Sequence, residues 1–216
     1  MRINKYLALN LNISRREADR LIENKLIKIN GIESKLGQIV DENDVLSYKN
    51  KIIKTITKHK YYKFYKPKNY ITSRSSQGNT KTIYELIEYK NLKYSGRLDK
   101  ESEGLMLLST DGDWLNNNSH PSKDLSKKYL VTTDIEDIDL TKFKKTINDN
   151  NEELKIYSII KNSKYEYVVI LKTGKNREIR RIFEYNKIKI TNLKRLSIGK
   201  HTLGNMKTGE LKEINI

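Results

Sequence analysis

The sequence predicts an α+β protein of two units, a small N-terminal one and a larger mixed one. Three observations predict this. Helix-type spacing and strand-type runs follow one another without a regular strand–helix–strand order, so a doubly wound parallel sheet is not expected. The first 48 residues carry their own set of short helices and strands. A basic stretch free of glycine and proline, KNKIIKTITKHK, then precedes an aromatic-rich run that opens a second set. We therefore expect units at 1–48 and 61–216, joined by an extended basic connector at 49–60.

Residues 5–9 have a short helical pattern. Ser14, with Glu17 three residues later, matches a capping box. Ala18, Leu21 and Ile22 then recur at helical spacing and can face a core. Asn30-Gly31 separates two short alternating runs, 26–29 and 32–34, as in a hairpin, and Val45 and Leu46 fit a closing strand. In the second unit Tyr61–Lys66 reads as a strand stopped by Pro67. Residues 82–89 are helix-like. Residues 105–108 form a continuous apolar run between Gly104 and Asp111-Gly112, as a buried strand does. Residues 129–133 read as a strand and 140–147 as a helix. Residues 154–160 and 165–172 read as paired strands, 177–183 as a helix, and 196–198 and 211–214 as short closing strands. No internal repeat is visible.

Composition bounds the function. The chain has 216 residues with 43 Lys and Arg against 27 Asp and Glu, a formal net charge of +16. There is no Cys, which excludes disulfides, Cys-ligated zinc and iron–sulfur clusters, and three scattered His do not suggest a metal site. No run approaches the roughly 18 apolar residues of a membrane span. The N-terminus lacks the apolar core of a secretory signal. A cytoplasmic protein with a polyanionic partner and no membrane is expected. The charge is clustered: 49–68 holds 8 Lys and no acid, and 175–200 holds 9 basic and 2 acidic residues. The first 48 residues are close to neutral, with 8 basic and 7 acidic.

Several side chains could carry chemistry. Arg15, Arg16 and Arg20, with Lys5, crowd the start of a helix, where free N–H groups also favour phosphate. The alternative is a solvated basic face with Arg15 paired to Asp19 four residues on. Asp99 taken alone is a turn or N-cap carboxylate, Arg180 a surface helix charge and Tyr129 a core tyrosine. Asp111 and Asp113 read as structural, because Asp-Gly signals a turn, and Trp114 as a packing residue.

Longer motifs sharpen this. INKYLALNLNISRREADRLIENKLIKING resembles the S-four RNA-binding domain, with a short helix, an SRR-E-A helix start and an Ile-Asn-Gly turn. Asn10 or Asn12, and Asn24, stand near places where that family usually has glycine. GRLDKESEGLMLLSTDG, residues 96–112, resembles the catalytic motif of bacterial rRNA pseudouridine synthases, the type whose members act on small-subunit or large-subunit rRNA. Other matches follow in family order: YKFYKP at 62–67, KYLV at 128–131 and GKNREIRRIF at 174–183. The last motif is matched by Leu193-Lys194-Arg195 through Gly199 and by Leu203-Gly204 to Gly209-Glu210. Ser102 stands where Thr is common and Glu178 where Gln is more frequent.

The resemblance implies a mixed, mainly antiparallel catalytic domain that isomerises uridine to pseudouridine in ribosomal RNA without cofactor or metal. It implies that Asp99 is the essential carboxylate, that Arg180 pairs with it, and that Tyr129 packs on or donates to the target base. Ile179 is implied as an apolar wall, and Arg97, Arg177 and Arg181 as contacts to the flipped nucleotide. Lys5, Arg15, Arg16, Arg20, Lys54, Lys58 and Lys60 are expected to bind RNA, in a ribosomal RNA or a pre-ribosomal particle. The HPS loop at 120–122 and the NREIRR segment lean the target toward large-subunit rRNA. Nothing in the sequence asks for a dimer, so a monomer is expected. The alternative is a non-catalytic RNA-binding or ribosome assembly factor. A DNA-binding regulator is disfavoured, because no dimeric recognition helix is evident.

Overall fold

A computed structural model describes residues 1–55 and 59–216 as two units, Met1–His59 and Lys60–Ile216. Lys58, expected to bind RNA, lies outside the described residues.

In the first unit α1 (Ile3–Asn10) and α2 (Arg15–Glu23) pack on a four-stranded sheet of order β2-β1-β3-β4. The strands are β1 (Ile27–Ile29), β2 (Ile32–Glu33), β3 (Leu46–Tyr48) and β4 (Lys51–Ile52). Ser14 caps α2 by accepting from the Glu17 N–H at 3.0 Å. The hairpin turns at Asn30-Gly31, both left-handed at φ 51° and 83°, as a type I′ turn demands. Asn30 also accepts from Val45 N–H at 2.9 Å, which ties the turn to the next strand. Ile3, Leu7, Ala18, Ile22, Ile27 and Leu46 fill a separate core. The expected connector is shorter at its start: Lys51–Ile52 pairs with β3, and Ile53 is buried in this core. A strand that alternates Lys and Ile needs no glycine or proline to mark its entry, so charge hid it.

The second unit holds β5 (Tyr61–Lys66), β6 (Lys93–Ser95), β7 (Glu103–Ser109), α3 (Gly112–Asn117), β8 (Lys127–Thr133), β9 (Thr146–Asp149), β10 (Glu152–Lys155), β11 (Ser158–Lys161), β12 (Glu166–Leu171), α4 (Glu178–Tyr185), β13 (Ile190–Ile198), β14 (His201–Thr202) and β15 (Leu211–Glu213). A nine-stranded sheet runs β11-β12-β8-β13-β7-β5-β15, with β14 on β13 and β6 on β7. Among the described residues all its pairings are antiparallel except β13 with β7. That parallel seam aligns Arg195 with Gly104. A Cβ on Gly104 would lie 2.4 Å from the Arg195 carbonyl oxygen, and its φ is +114°, so glycine alone fits there. The main core joins Phe64, Met106, Val131, Tyr167, Ile182 and Phe183. No helix among the described residues is long and apolar enough to cross a membrane.

Three expected elements differ. Residues 82–89 hold only one 3-10 turn, Ile83–Glu85; Ile83 and Tyr84 within it and Ile87 beyond it are buried in the core. Residues 140–147 are a turn entering β9 rather than a helix. There Asp139 accepts from the Thr141 N–H at 3.0 Å, and Ile147 pairs with Leu154 in the β9–β10 hairpin. Asp111-Gly112 is a helix start, with Asp111 accepting from the N–H groups of Asp113 and Trp114.

Candidate active site

Asp99 sits on the loop between β6 and β7, and that loop is held by its backbone. Lys66, fully buried at the end of β5, donates from Nζ to the carbonyls of Pro67, Asp99 and Ser102 at 2.9, 3.0 and 2.7 Å. The Thr72 hydroxyl donates to the Leu98 carbonyl at 3.0 Å and accepts from the Leu98 N–H. Asn69 N–H donates to the Lys100 carbonyl at 2.8 Å. The loop is therefore fixed at Leu98, Asp99, Lys100 and Ser102 before any ligand arrives. Burial pushes the Lys66 ammonium down to about 8, against the pull of the Asp99 and Glu101 carboxylates.

The facing wall is the start of α4. Arg177 is its N-cap, in the left-handed region at φ 48°, a conformation that costs a non-glycine residue about 1 kcal/mol. Glu178 holds it there. This buried carboxylate accepts from the Thr173 hydroxyl at 2.7 Å and from the N–H groups of Lys175 and Lys155 at 3.1 and 3.3 Å. Ile179, Ile182 and Phe183 anchor the buried side of the helix. The Arg177 side chain is thereby turned toward the Asp99 loop. Its Nη1 lies 3.6 Å from Asp99 Oδ2 and 3.2 Å from Glu101 Oε2. Burial raises the Glu101 carboxyl, but its own backbone N–H, Arg177 and Arg180 outweigh this and leave it below the usual range.

Between these walls lies a cleft of about 320 Å³, the size of a small-ligand site. Asp99, Arg97, Tyr129, Arg177, Ile179 and Arg180 all line it. Leu171, Leu193 and Ile198 extend its apolar lining. Tyr129 and Ile179 are buried, Arg97 is exposed at the rim, and the Asp99 side chain is 35 % exposed.

Two expectations are corrected. The ion-pair partner of Asp99 is Arg177, not Arg180. Arg180 instead donates from Nη2 to the Ser102 hydroxyl at 3.2 Å and to the Glu101 carbonyl at 3.4 Å. Burial and the like charge of Arg177 push Arg180 below its usual pKa, opposed by Glu101 and Asp99. Arg181 does not line the cleft. It points to the β9–β10 hairpin, where it pairs with Asp149 and with Glu152 at 2.8 Å and donates to the Asp149 carbonyl at 2.7 Å. Successive helix residues diverge by about 100°, so Arg180 and Arg181 cannot serve one face.

Sequence reasoning missed the buried Lys66, Glu101 and Glu178 as builders of the site. The signal for Lys66 is a lysine at the end of an aromatic-rich strand, directly before Pro67. In the first unit Arg15, Arg16 and Arg20 are exposed on α2. Arg15 donates to the Asn4 side chain at 3.2 Å and Arg20 pairs with Glu17 at 3.4 Å. Asp19 is taken by the Asn4 amide at 2.9 Å, rather than by Arg15. Lys5 is half-buried on α1 and Lys54 is exposed. Lys60 belongs to the second unit, where its Nζ lies 4.9 Å from the Tyr89 ring centre.

Comparison with known proteins places these features in a family. Residues 1–46 match the S4 domain and residues 60–185 match the family described as RNA pseudouridylate synthase. A Borreliella burgdorferi protein described as an uncharacterized RNA pseudouridine synthase is 33% identical over 222 residues, covering 98% of this chain and 88% of the relative. One from Rickettsia typhi is 36% identical over 216 residues, covering 94% of this chain and 86% of that one. A crystal structure of a pseudouridylate synthase superimposes with a TM-score of 0.70 at 24% identity, covering 100% of this chain and 96% of the other, and so shares its fold. The chain is an isomerase that belongs to the RNA pseudouridylate synthase family, with an S4 domain at its N-terminus.

Proposed function

We propose that this enzyme isomerises one uridine of ribosomal RNA, with large-subunit rRNA as the favoured source, and that Asp99 is its catalytic carboxylate. One observation carries the reading: a carboxylate on a backbone-pinned loop faces a cleft with an apolar lining and four arginines. A uracil ring is flat and largely apolar on its faces, so Tyr129 and Ile179 suit it. The ribose and phosphates it brings are polar and anionic, which suits Arg97, Arg177 and Arg180 at the opening. A base reaches such a cleft only by leaving its stack, at a cost of a few kcal/mol, and less from a loop.

The reaction is balanced without an oxidant. The N1–C1′ bond breaks with its electron pair passing to N1. The ring turns, C5 bonds to C1′, the proton on C5 is lost and N1 gains one. Asp99 acts on the sugar, on the base or as a proton carrier. Arg177 supports it as its direct ion-pair partner, and Arg180 braces the same loop through Ser102. The exposed Arg15, Arg16 and Arg20 of α2, with Lys5 and Lys54, bind RNA phosphates in the first unit, and Lys60 does so in the second. The enzyme acts as a monomer in the cytoplasm.

The test is chemical mapping of pseudouridine across the rRNAs of a strain lacking the gene, compared with the parent. One site missing from the large-subunit rRNA supports the proposal. A complete set of sites refutes an rRNA target, and a site missing from the small-subunit rRNA refutes the choice of subunit.

A further inference from the structure

We propose that Arg195 is a further catalytic residue, whose buried guanidinium donates to a carbonyl oxygen of the uracil ring as that ring becomes negatively charged. The proposal rests on the reading of the cleft as a uridine site.

Arg195 is an unusual cation. It is 3 % exposed, on β13, and lines the same cleft as Asp99 and Tyr129. Buried arginines almost always meet a carboxylate or a full set of acceptors. Among the described residues Arg195 meets neither. Its Nε donates to the Leu105 carbonyl at 2.7 Å, while its Nη2 is buried without a hydrogen-bond partner. No carboxylate among the described residues forms an ion pair with it. A structural arginine would be expected to use its whole fork. This one leaves a donor unspent beside a cleft.

The backbone explains how it is held. Arg195 sits on the parallel seam of the sheet, opposite Gly104, where the absent side chain lets the two strands approach. Across the other edge of β13 it is paired with Tyr129, so the two side chains share a face of the sheet. The ladder then slips by one residue between Arg195 and Ser197. Bulges of this kind re-aim side chains next to functional sites. The positive field is felt nearby. Arg195 helps to lower the pKa of both Lys66 and Lys127, for each of which burial is the larger cause.

The chemistry supplies what the fork lacks. When the N1–C1′ bond breaks, the electron pair on N1 delocalises onto O2 and O4 of uracil. For O2 this holds whether Asp99 attacks the sugar, attacks the base or moves a proton; addition of Asp99 to C6 would interrupt only the path through C5 to O4. A ring carbonyl oxygen is then a better acceptor than in the intact nucleotide, so a donor placed there favours the transition state over the bound substrate. A phosphate is the less suitable occupant, because it would meet the exposed Arg97 and Arg177 first.

The test uses the full chain with rRNA from the deletion strain as substrate. Single-turnover rates at saturating enzyme, RNA affinity and melting temperature are measured for wild type, Arg195→Met, Arg195→Lys and Asp99→Ala. Arg195→Met is expected to lower the rate by about 10²–10³-fold, the effect of losing one such donor, with affinity within about threefold of wild type. Arg195→Lys, which keeps a buried cation, is expected to fold and to recover part of that rate. If Arg195→Met does not fold, the Lys variant is read alone, and a lower rate at unchanged affinity supports the proposal. Wild-type rates in the folded Arg195 variants, or rates that fall only in step with affinity, overturn it. If Asp99→Ala is inactive in that case, the uridine-site reading survives. If Asp99→Ala is fully active, that reading fails instead.

Discussion

Arg177 Nη1 stands 3.6 Å from the Asp99 carboxylate and 3.2 Å from that of Glu101. One guanidinium thus spans two carboxylates of the same loop, from a left-handed residue at the head of α4. Both acidic partners are part-exposed, so the contacts contribute only about 0–1 kcal/mol to stability. Their value lies in placing charge at the mouth of the cleft.

This gives a variant in which stability and activity separate. Arg177→Gly removes the left-handed strain, worth about 1 kcal/mol, and also removes the guanidinium. Urea denaturation should show equal or greater stability, while pseudouridine formation falls at least about tenfold. A less stable but fully active protein would refute this account of Arg177.

Lys66 gives a pH signature. Its folded pKa, about 8, lies below the ordinary lysine value of 10.5. The unfolded chain therefore binds more protons between these values, and stability rises with pH there. The cost of burying the charged form is fully present below about pH 8 and relieved by about 10.5. Against Lys66→Met, which does not titrate, the wild type should gain stability across that window. A stability difference constant from about pH 7 to 10.5 would count against it.

Gly104 is the tightest point of the parallel seam. Gly104→Ala forces a Cβ onto the backbone of Arg195 and strains a φ of +114°. A loss of about 3 kcal/mol or more is expected, measurable as a fall in the urea midpoint. A change under about 1 kcal/mol would mean that β7 and β13 can part without cost.

The first unit is tested through salt. Replacing Arg15, Arg16 and Arg20 together by Gln should weaken RNA binding and reduce the log–log salt slope by about 2, since each phosphate contact contributes about 0.7–0.9. An unchanged slope would show that these arginines face away from RNA.

Much of the fold was legible because local chemistry agreed with the final structure. Ser14 caps α2 and Asn30-Gly31 turns a hairpin, as their sequence signals promised. The apolar run from Leu105 is a buried strand for the same reason. The misreadings came where one pattern served two structures. Leu140, Phe143 and Ile147 have helical spacing, yet they belong to a turn and the strand after it. At the site, the motifs located Asp99, Tyr129 and Arg180 beside one cleft. They did not show which arginine meets the carboxylate, because that depends on the left-handed turn at Arg177. Nor could they show that Lys66 and Arg195 are buried cations. A lysine in a strand reads as a solvated edge until its neighbours in the sheet are known.

The role of Asp99 is decided by pseudouridine mapping in a deletion strain complemented with Asp99→Ala at wild-type protein levels. The rRNA site restored by the wild-type gene should remain unmodified uridine with the variant. Full restoration by Asp99→Ala would contradict the assignment of Asp99 as the catalytic carboxylate.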